Sequence, residues 1–151
     1  MAKPYPSFSS ALSYRDPKAA LKWLAQAFGF ETVMEITDAE GNLAHSQMSF
    51  GNGLIMVGSE WSADHKSPAS LSGKNTQTVH VHLEEDVDKH FARATAAGAQ
   101  VIMAPETQFY GDRSYRVRDP EGHIWSFGQT VKTVTREEAE KTSGLKIKGW
   151  V

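Results

Sequence analysis

The stretch YGDRSYRVRDPEGHIWSFGQ, residues 110–129, is typical of two strands joined by a tight turn. Tyr115 and Val117 alternate with polar residues before the turn, and apolar residues alternate in the same way after it, which is the period of half-buried strands. The turn itself is DPEG, residues 119–122. Proline presets φ and glycine accepts positive φ, so this segment predicts the reversal of a β-hairpin.

A similar pattern occurs earlier, in LAHSQMSFGNGLIMVGS, residues 43–59. An offset of 69 residues separates Gly53 from Gly122, and the same offset separates Gly29 from Gly98. Repetition of this kind predicts one module written twice, each running strand, helix and then three strands. The offset also pairs apolar residues with one another: Leu12 with Val81, Val33 with Ile102, and Met48 with Val117.

Three motifs make the chain resemble the vicinal oxygen chelate superfamily, which includes glyoxalase I, extradiol dioxygenases, epimerases, fosfomycin-resistance enzymes and bleomycin resistance proteins. They are Arg15-Asp16-Pro17, Ala27-Phe28-Gly29-Phe30, and Tyr110-Gly111-Asp112-Arg113 leading into Asp119-Pro120-Glu121-Gly122-His123. The resemblance covers residues 7–129. It implies an α+β fold in which two tandem βαβββ modules form curled mixed sheets around a concave trough. It specifies a fold rather than a reaction, because one scaffold supports many activities.

The chain of 151 residues is expected to form a single domain. The first module spans 7–58, a polar connecting loop 59–76, and the second module 77–129. Residues 130–151 form an extension in which a capping box at 135–138 and a glycine at 144 predict a short helix. In the second module we expect a strand at 99–104 followed by a loop.

Composition narrows the function classes. The net charge of −2 offers no attraction to nucleic acid or to an anionic membrane. The chain has no cysteine, hence no disulfide, thiol nucleophile or thiolate ligand. We find no signal-peptide pattern and no apolar run of membrane-span length, and we expect a cytoplasmic protein. Homodimerisation is expected from the resemblance.

Strand alternation predicts which side chains line the trough. His45, Gln47 and Arg116 point inward from the long hairpins, opposite the apolar residues that pack under the helices. His80 and His82 point inward from the first strand of the second module. We add to the predicted ligand-binding set Arg113 and three aromatic residues at the rim: Trp61, Phe109 and Tyr110. The alternative for Arg113 is surface pairing with Asp112, Asp119 or Glu121.

The resemblance also implies metal-ligand positions, at the start of each module's first strand and in each module's last strand. Carried over to this sequence, they fall on Ser9, Val57, Thr78 and Ser126. None of these side chains is an imidazole, carboxylate or thiolate. We therefore expect no metal cofactor. The alternative is an atypical zinc site made by His45, His80 and His82.

Three functions fit this trough. The first is a metal-independent protein that binds an aromatic or carbonyl-bearing small molecule, as bleomycin resistance proteins do. The second is a glyoxalase- or dioxygenase-type metalloenzyme that uses the atypical histidine site. The third is a metal-free enzyme in which a histidine with a near-neutral pKa moves a proton.

Periodicity also predicts which residues outside the trough are buried. We expect Lys89, His90 and Arg93 to face water, and Trp125 and Phe127 to lie in the core.

Overall fold

The computed structural model describes residues 5–151. The first module contains strand β1 (Ser10–Tyr14), helix α1 (Pro17–Phe28), and strands β2 (Glu31–Thr37), β3 (Leu43–Phe50) and β4 (Gly53–Ser59). The second contains β5 (Thr78–His82), α2 (Val87–Ala96), β6 (Gln100–Thr107), β7 (Asp112–Arg118) and β8 (Ile124–Thr130). One 3-10 turn, Pro68–Ser70, interrupts the connection, and helix α3 (Arg136–Ser143) lies in the extension.

Each module forms a four-stranded mixed sheet. The strand orders are β1-β4-β3-β2 and β5-β8-β7-β6, and in each sheet the first strand runs parallel to the last. The predicted fold class, two tandem βαβββ modules of the α+β class, is confirmed. The two sheets stay separate, so β1 and β5 are edge strands within the described residues.

The helix signals in the sequence act as expected. The Asp16 carboxylate accepts a hydrogen bond from Ala19 N, Pro17 occupies the first turn, and Gly29 ends α1 with φ of 81°. The capping box at Thr135 starts α3 in the same manner.

Strand β6 is longer than predicted, because it continues through Pro105 instead of ending before it. It is an edge strand, where a missing backbone N–H costs no ladder hydrogen bond.

One hydrophobic core joins the two modules. The Phe28 ring at the end of α1 lies 4.6 Å from the Phe127 ring and 5.3 Å from the Trp125 ring, measured between centroids. Trp125 and Phe127 are fully buried, which confirms their predicted place in the core. Because neither module buries these aromatic rings alone, the modules form one packing unit.

The DPEG turn of the second module binds the start of α1 in the first. The buried Asp119 carboxylate accepts hydrogen bonds from Tyr14 Oη at 2.6 Å and from Trp125 Nε1 at 3.1 Å. The Glu121 carboxylate accepts from the backbone N–H groups of Arg15 and Asp16. The turn is therefore a polar clamp across the junction as well as a reversal.

His90 lies at this junction and does not face water as predicted. One ring nitrogen is 2.6 Å from Tyr115 Oη and the other is 2.9 Å from the Phe28 carbonyl oxygen. Burial lowers the pKa of His90. Arg93 is exposed, as predicted, and its guanidinium also donates to the carbonyl oxygens of Ala25 and Gln26 at the end of α1. Helical periodicity could not reveal these contacts, because the three carbonyl groups belong to the other module and Tyr115 lies on a strand distant in sequence.

Among residues 5–151, none of the helices has the length and apolar character that crossing a membrane requires.

Candidate functional site

The face of the second sheet that points away from the helices carries the polar residues singled out in the sequence. Register places four residues side by side on strands β5, β8, β7 and β6: His80, Ser126, Arg116 and Met103. The next row contains His82, Gly128, Ser114 and Glu106. Since neighbouring strands are about 4.8 Å apart, the backbones of His80 and Arg116 are separated by about 10 Å.

Small residues occupy the space between these long side chains. Ser114 and Ser126 are buried, and Gly128 carries no side chain at all. A Cβ at Gly128 would lie 3.2 Å from His80 Cε1 and 3.7 Å from Ser114 Cβ. These three small residues form a low floor on the sheet face, and the His80 ring lies over part of it, against Gly128 and Ser126.

The His80 side chain is held in place. Its Nδ1 lies 2.9 Å from the Ser126 hydroxyl oxygen, and no hydrogen bond to Nε2 is found within residues 5–151. Burial lowers the pKa of His80; Asp112 opposes the shift, while His82 and Arg116 add to it. A histidine with a lowered pKa is neutral at pH 7, and it keeps one ring nitrogen as a hydrogen-bond acceptor.

Arg116 has neither an ion pair nor a hydrogen bond among the described residues. Every other arginine of the chain has a partner: Arg15 with Ser70, Arg93 with Gln26, Arg113 with Asp88, Arg118 with Gly73, and Arg136 with Glu137. The guanidinium of Arg116 is exposed beside two histidines and is therefore available to a ligand.

Arg113 does not line this face. Its side chain lies on the opposite, helix-facing side, where it makes a two-pronged ion pair with Asp88 of α2 at 2.9 and 3.0 Å. The reason is its position next to Ser114, since consecutive strand residues point to opposite faces. The alternative partners considered from the sequence, Asp112, Asp119 and Glu121, are not the ones used.

His45 and Gln47 lie on the corresponding face of the first sheet. The Gln47 amide nitrogen is 3.4 Å from His45 Nε2. Across that sheet the row equivalent to the one through Arg116 is Ala11, Met56, Gln47 and Met34. No hydrogen bond joins His45 or Gln47 to His80, His82 or Arg116 in the part of the chain that the structure describes.

The offset of 69 fails in the last strand of each module. His80 pairs with Ser126, whereas its repeat mate Ala11 pairs with Met56, so the mate of Ser126 is Met56 and the offset there is 70. The longer turn before β8 supplies the extra residue. Val57 instead matches Phe127, and both are fully buried on the helix-facing side. The expectation that Val57 matches Ser126 is therefore wrong.

The positions implied for a metal do not fit one. They hold the hydroxyl groups of Ser9, Thr78 and Ser126 and the thioether of Met56, with no imidazole or carboxylate. Within residues 5–151, no three histidine, cysteine, aspartate or glutamate side chains come close enough together to hold an ion. The atypical zinc set of His45, His80 and His82 is therefore not assembled in one chain.

The three aromatic residues of the predicted rim are all exposed. Trp61 has 70% of its surface exposed and stacks on His65, with ring centroids 4.1 Å apart. Phe109 and Tyr110 lie at the turn between β6 and β7 and contact each other edge to face. Tyr110 also borders a groove formed with Trp150 of the extension.

A cleft of about 1260 Å³ separates β1 from β5. His80 and His82 border it as well as the sheet face. Other lining residues are Phe8, Phe30, Phe50, Val81 and His90. A cleft with several aromatic and apolar lining residues therefore lies next to the polar face of the second module.

Strand alternation turns Ser114 toward the trough, and Ser126 enters the sequence analysis only as an implied metal position. Sequence reasoning missed Gly128. Alternation of these three residues with Tyr115, Trp125 and Phe127 is the available signal, because it assigns them all to the outer face. This signal identifies a common site only when the register is known. In that register β8 lies between β5 and β7, and the small residues of β7 and β8 are neighbours.

Fold and sequence together define the class of protein. The sequence model of the Glyoxalase/Bleomycin resistance protein/Dioxygenase superfamily matches residues 9–127, and the chain belongs to that superfamily. The structure is similar to that of TioX from Micromonospora sp. ML1, with 36% identity, a TM-score of 0.67, and 82% of this chain and 97% of that chain covered.

Two further comparisons give relatives of similar size. Uncharacterized protein Rv0887c of Mycobacterium tuberculosis is 32% identical over 139 residues, covering 89% of this chain and 81% of that protein. TnmS3, an antibiotic binding protein from Streptomyces sp. CB03234, shares the fold at 16% identity with a TM-score of 0.64, covering 86% of this chain and 98% of that chain.

Proposed function

We propose that this chain binds a planar, aromatic or carbonyl-bearing small molecule on the outer face of its second sheet, without a metal cofactor. The observation that carries the proposal is the row of His80, Ser126 and Arg116, in which the His80 ring is held against the low floor and the Arg116 guanidinium has no partner within residues 5–151. Concave sites with a few convergent polar groups are the usual form of small-molecule sites. TnmS3, described as antibiotic-binding, has the same fold and supports this choice of ligand class.

The side chains at the implied metal-ligand positions favour binding without a metal. The positions where the superfamily's metal enzymes carry ligands hold Ser9, Met56, Thr78 and Ser126 in this chain. Stoichiometric binding requires no catalytic group. The polar side chains need only satisfy the ligand's hydrogen bonds while its ring rests on the floor.

A thermal-shift screen of planar aromatic and carbonyl compounds, repeated in EDTA, tests the proposal. We expect hits that raise the melting temperature equally with and without EDTA and bind one per chain by calorimetry. Hits that depend on added zinc, nickel, iron or manganese would contradict metal-independent binding. A screen without any hit would contradict the binding function itself.

We further propose that two copies complete the trough, each bringing a first-module face with His45 and Gln47 to the second-module face of the other. This is supported by the unpaired edges of β1 and β5, since exposed edges favour pairing with another strand. Light scattering coupled to size exclusion should give the mass of a dimer. A monomeric mass at the concentrations where ligand binds would contradict the proposed dimer.

The cytoplasmic location of the protein stays a prediction.

A second candidate, a metal-free enzyme, is favoured by the lowered pKa of His80. A neutral imidazole beside Arg116 could take a proton from a carbon next to a ligand carbonyl, while the guanidinium stabilises the resulting enolate oxygen. Deuterium exchange into the ligand, measured in D₂O, tests this. Exchange that is lost in His80→Gln supports an enzyme, and exchange at the uncatalysed rate supports a binding protein alone.

A further inference from the structure

The Arg116 guanidinium projects from the outer face of the second sheet, beside the floor. Arg116 has no acidic partner among residues 5–151, and His80 and His82 stand across the floor from it. The nearest acidic residue on this face is Glu106, one row away on the neighbouring strand β6, and it makes no ion pair with Arg116 within residues 5–151. Asp112 is farther along the face and accepts a hydrogen bond from the Thr130 hydroxyl at 2.8 Å. Asp112 lies four residues from Arg116 along β7, or about 13 Å.

Resting on the proposed function, we propose that the ligand carries an anionic oxygen, as in an aromatic carboxylate or a phenolate, which binds between Arg116 and the histidines of β5. We infer that His80 takes up a proton when this ligand binds. A planar anion placed against the exposed side of the His80 ring, toward β7, would lie within reach of both that ring and the Arg116 guanidinium. Guanidinium groups bind such oxygens through strong, charge-assisted hydrogen bonds.

Proton uptake follows from what surrounds His80. Burial lowers its pKa, the charge of Asp112 opposes that shift, and His82 and Arg116 add to it. An anion on the floor opposes these effects, so the pKa of His80 rises on binding and a proton from solvent moves to the ring. The bond to Ser126 survives, because a hydroxyl oxygen can accept from Nδ1–H as well as donate to Nδ1.

The sign of the pH dependence is fixed by this linkage. A complex that holds more protons than the free protein is favoured at lower pH. Affinity for an anion that stays ionised should therefore increase as pH falls from about 8 to about 6. The gain is up to about tenfold for each unit by which the ligand raises the pKa of His80. His90 lies outside this effect, because its partners are Tyr115 and the Phe28 carbonyl.

Matched pairs of aromatic carboxylates and their amides test the proposal, with 2-naphthoate and 2-naphthamide as the first pair. The full chain should bind the carboxylate about tenfold or more tightly than the amide. Arg116→Gln should abolish that preference, whereas Arg113→Gln, which removes an arginine of the same strand from the other face, should retain it. Equal binding of both compounds, or a preference that survives in Arg116→Gln, would overturn the anion site.

Calorimetry of the carboxylate in two buffers of different ionisation enthalpy measures the protons taken up. We expect uptake at neutral pH in the unmodified chain and none in His80→Gln, whose fold is checked by its melting temperature. Absence of uptake in the unmodified chain would contradict the role of His80. Failure of both members of every pair to bind would instead reject the proposed function, so the two failures are distinguishable.

Discussion

The two modules share one fold but differ in the middle row of their outer faces. In the first sheet this row is apolar apart from one amide: Ala11, Met56, Gln47 and Met34. In the second it is largely polar: His80, Ser126, Arg116 and Met103. The backbone scaffold is repeated, whereas the side chains suited to hold a polar ligand are concentrated in one copy. Fold alone therefore does not locate the site.

The turns differ as well. The first module joins β3 to β4 through Gly51 and Asn52, which are exposed. The second uses residues 119–123, whose carboxylates reach across to the start of α1. The longer turn both shifts the repeat offset and joins the modules.

The largest expected effect comes from breaking this clamp. Asp119→Ala would leave Tyr14 Oη and Trp125 Nε1 buried without their acceptor, together with the backbone N–H groups of Glu121 and His123. We expect a loss of about 3 kcal/mol in the free energy of unfolding, measured by urea denaturation. Asn52→Ala in the first turn is the control and should change it by less than about 0.5 kcal/mol. Equal effects would contradict the difference between the turns.

Next in size is filling the floor. Gly128→Val would place a side chain against His80 Cε1, whereas the equivalent Gly58 has no atom within 4 Å of an added Cβ. We expect Gly128→Val to weaken ligand binding about tenfold to a hundredfold, which corresponds to about 1–3 kcal/mol of overpacking and displaced contacts. Gly58→Val should leave the affinity nearly unchanged. If Gly58→Val weakened binding more than Gly128→Val, the ligand site would lie on the first module instead.

The smallest effect concerns pH and stability. Because burial lowers the pKa of His90, the unfolded chain binds a proton at a higher pH than the folded chain. The resulting stability is present above the ordinary histidine pKa of about 6.5 and is lost as pH falls through that value toward the folded pKa. Melting temperature should decline over this range, and the decline should be shallower in His90→Gln. If the melting temperature of His90→Gln declined with pH as steeply as that of the unmodified chain, His90 would not contribute to the pH dependence of stability.

Most of the fold could be predicted from the sequence, because its signals are local. Asp16, Pro17 and Gly29 specify one helix, and the alternation around Tyr115 assigns the faces of β7. Contacts between modules could not be predicted in this way. The sequence predicts Asp119 only as a turn residue and His90 as solvent-exposed, since nothing nearby in sequence reveals Tyr14 or Phe28 as their partners.

The candidate site shows the same division. Strand periodicity predicts one face for His80, His82 and Arg116, and register places them around one floor. The inclusion of Arg113 in the predicted set conflicts with strand alternation, and its ion pair with Asp88 contradicts it. The match of Val57 with Ser126 depends on an offset that the longer turn changes. Periodicity fixes the face of a residue, but only register decides its neighbours.

The most direct test of the central claim is where a ligand binds. A brominated aromatic carboxylate from the screen should be soaked into crystals of the full chain, and the bromine located by anomalous diffraction. We expect one peak above the floor of Ser126 and Gly128, with the carboxylate toward Arg116. A peak over Met56 and Gln47 of the first sheet, or one confined to the cleft between β1 and β5, would contradict the assignment of binding to the second module's face.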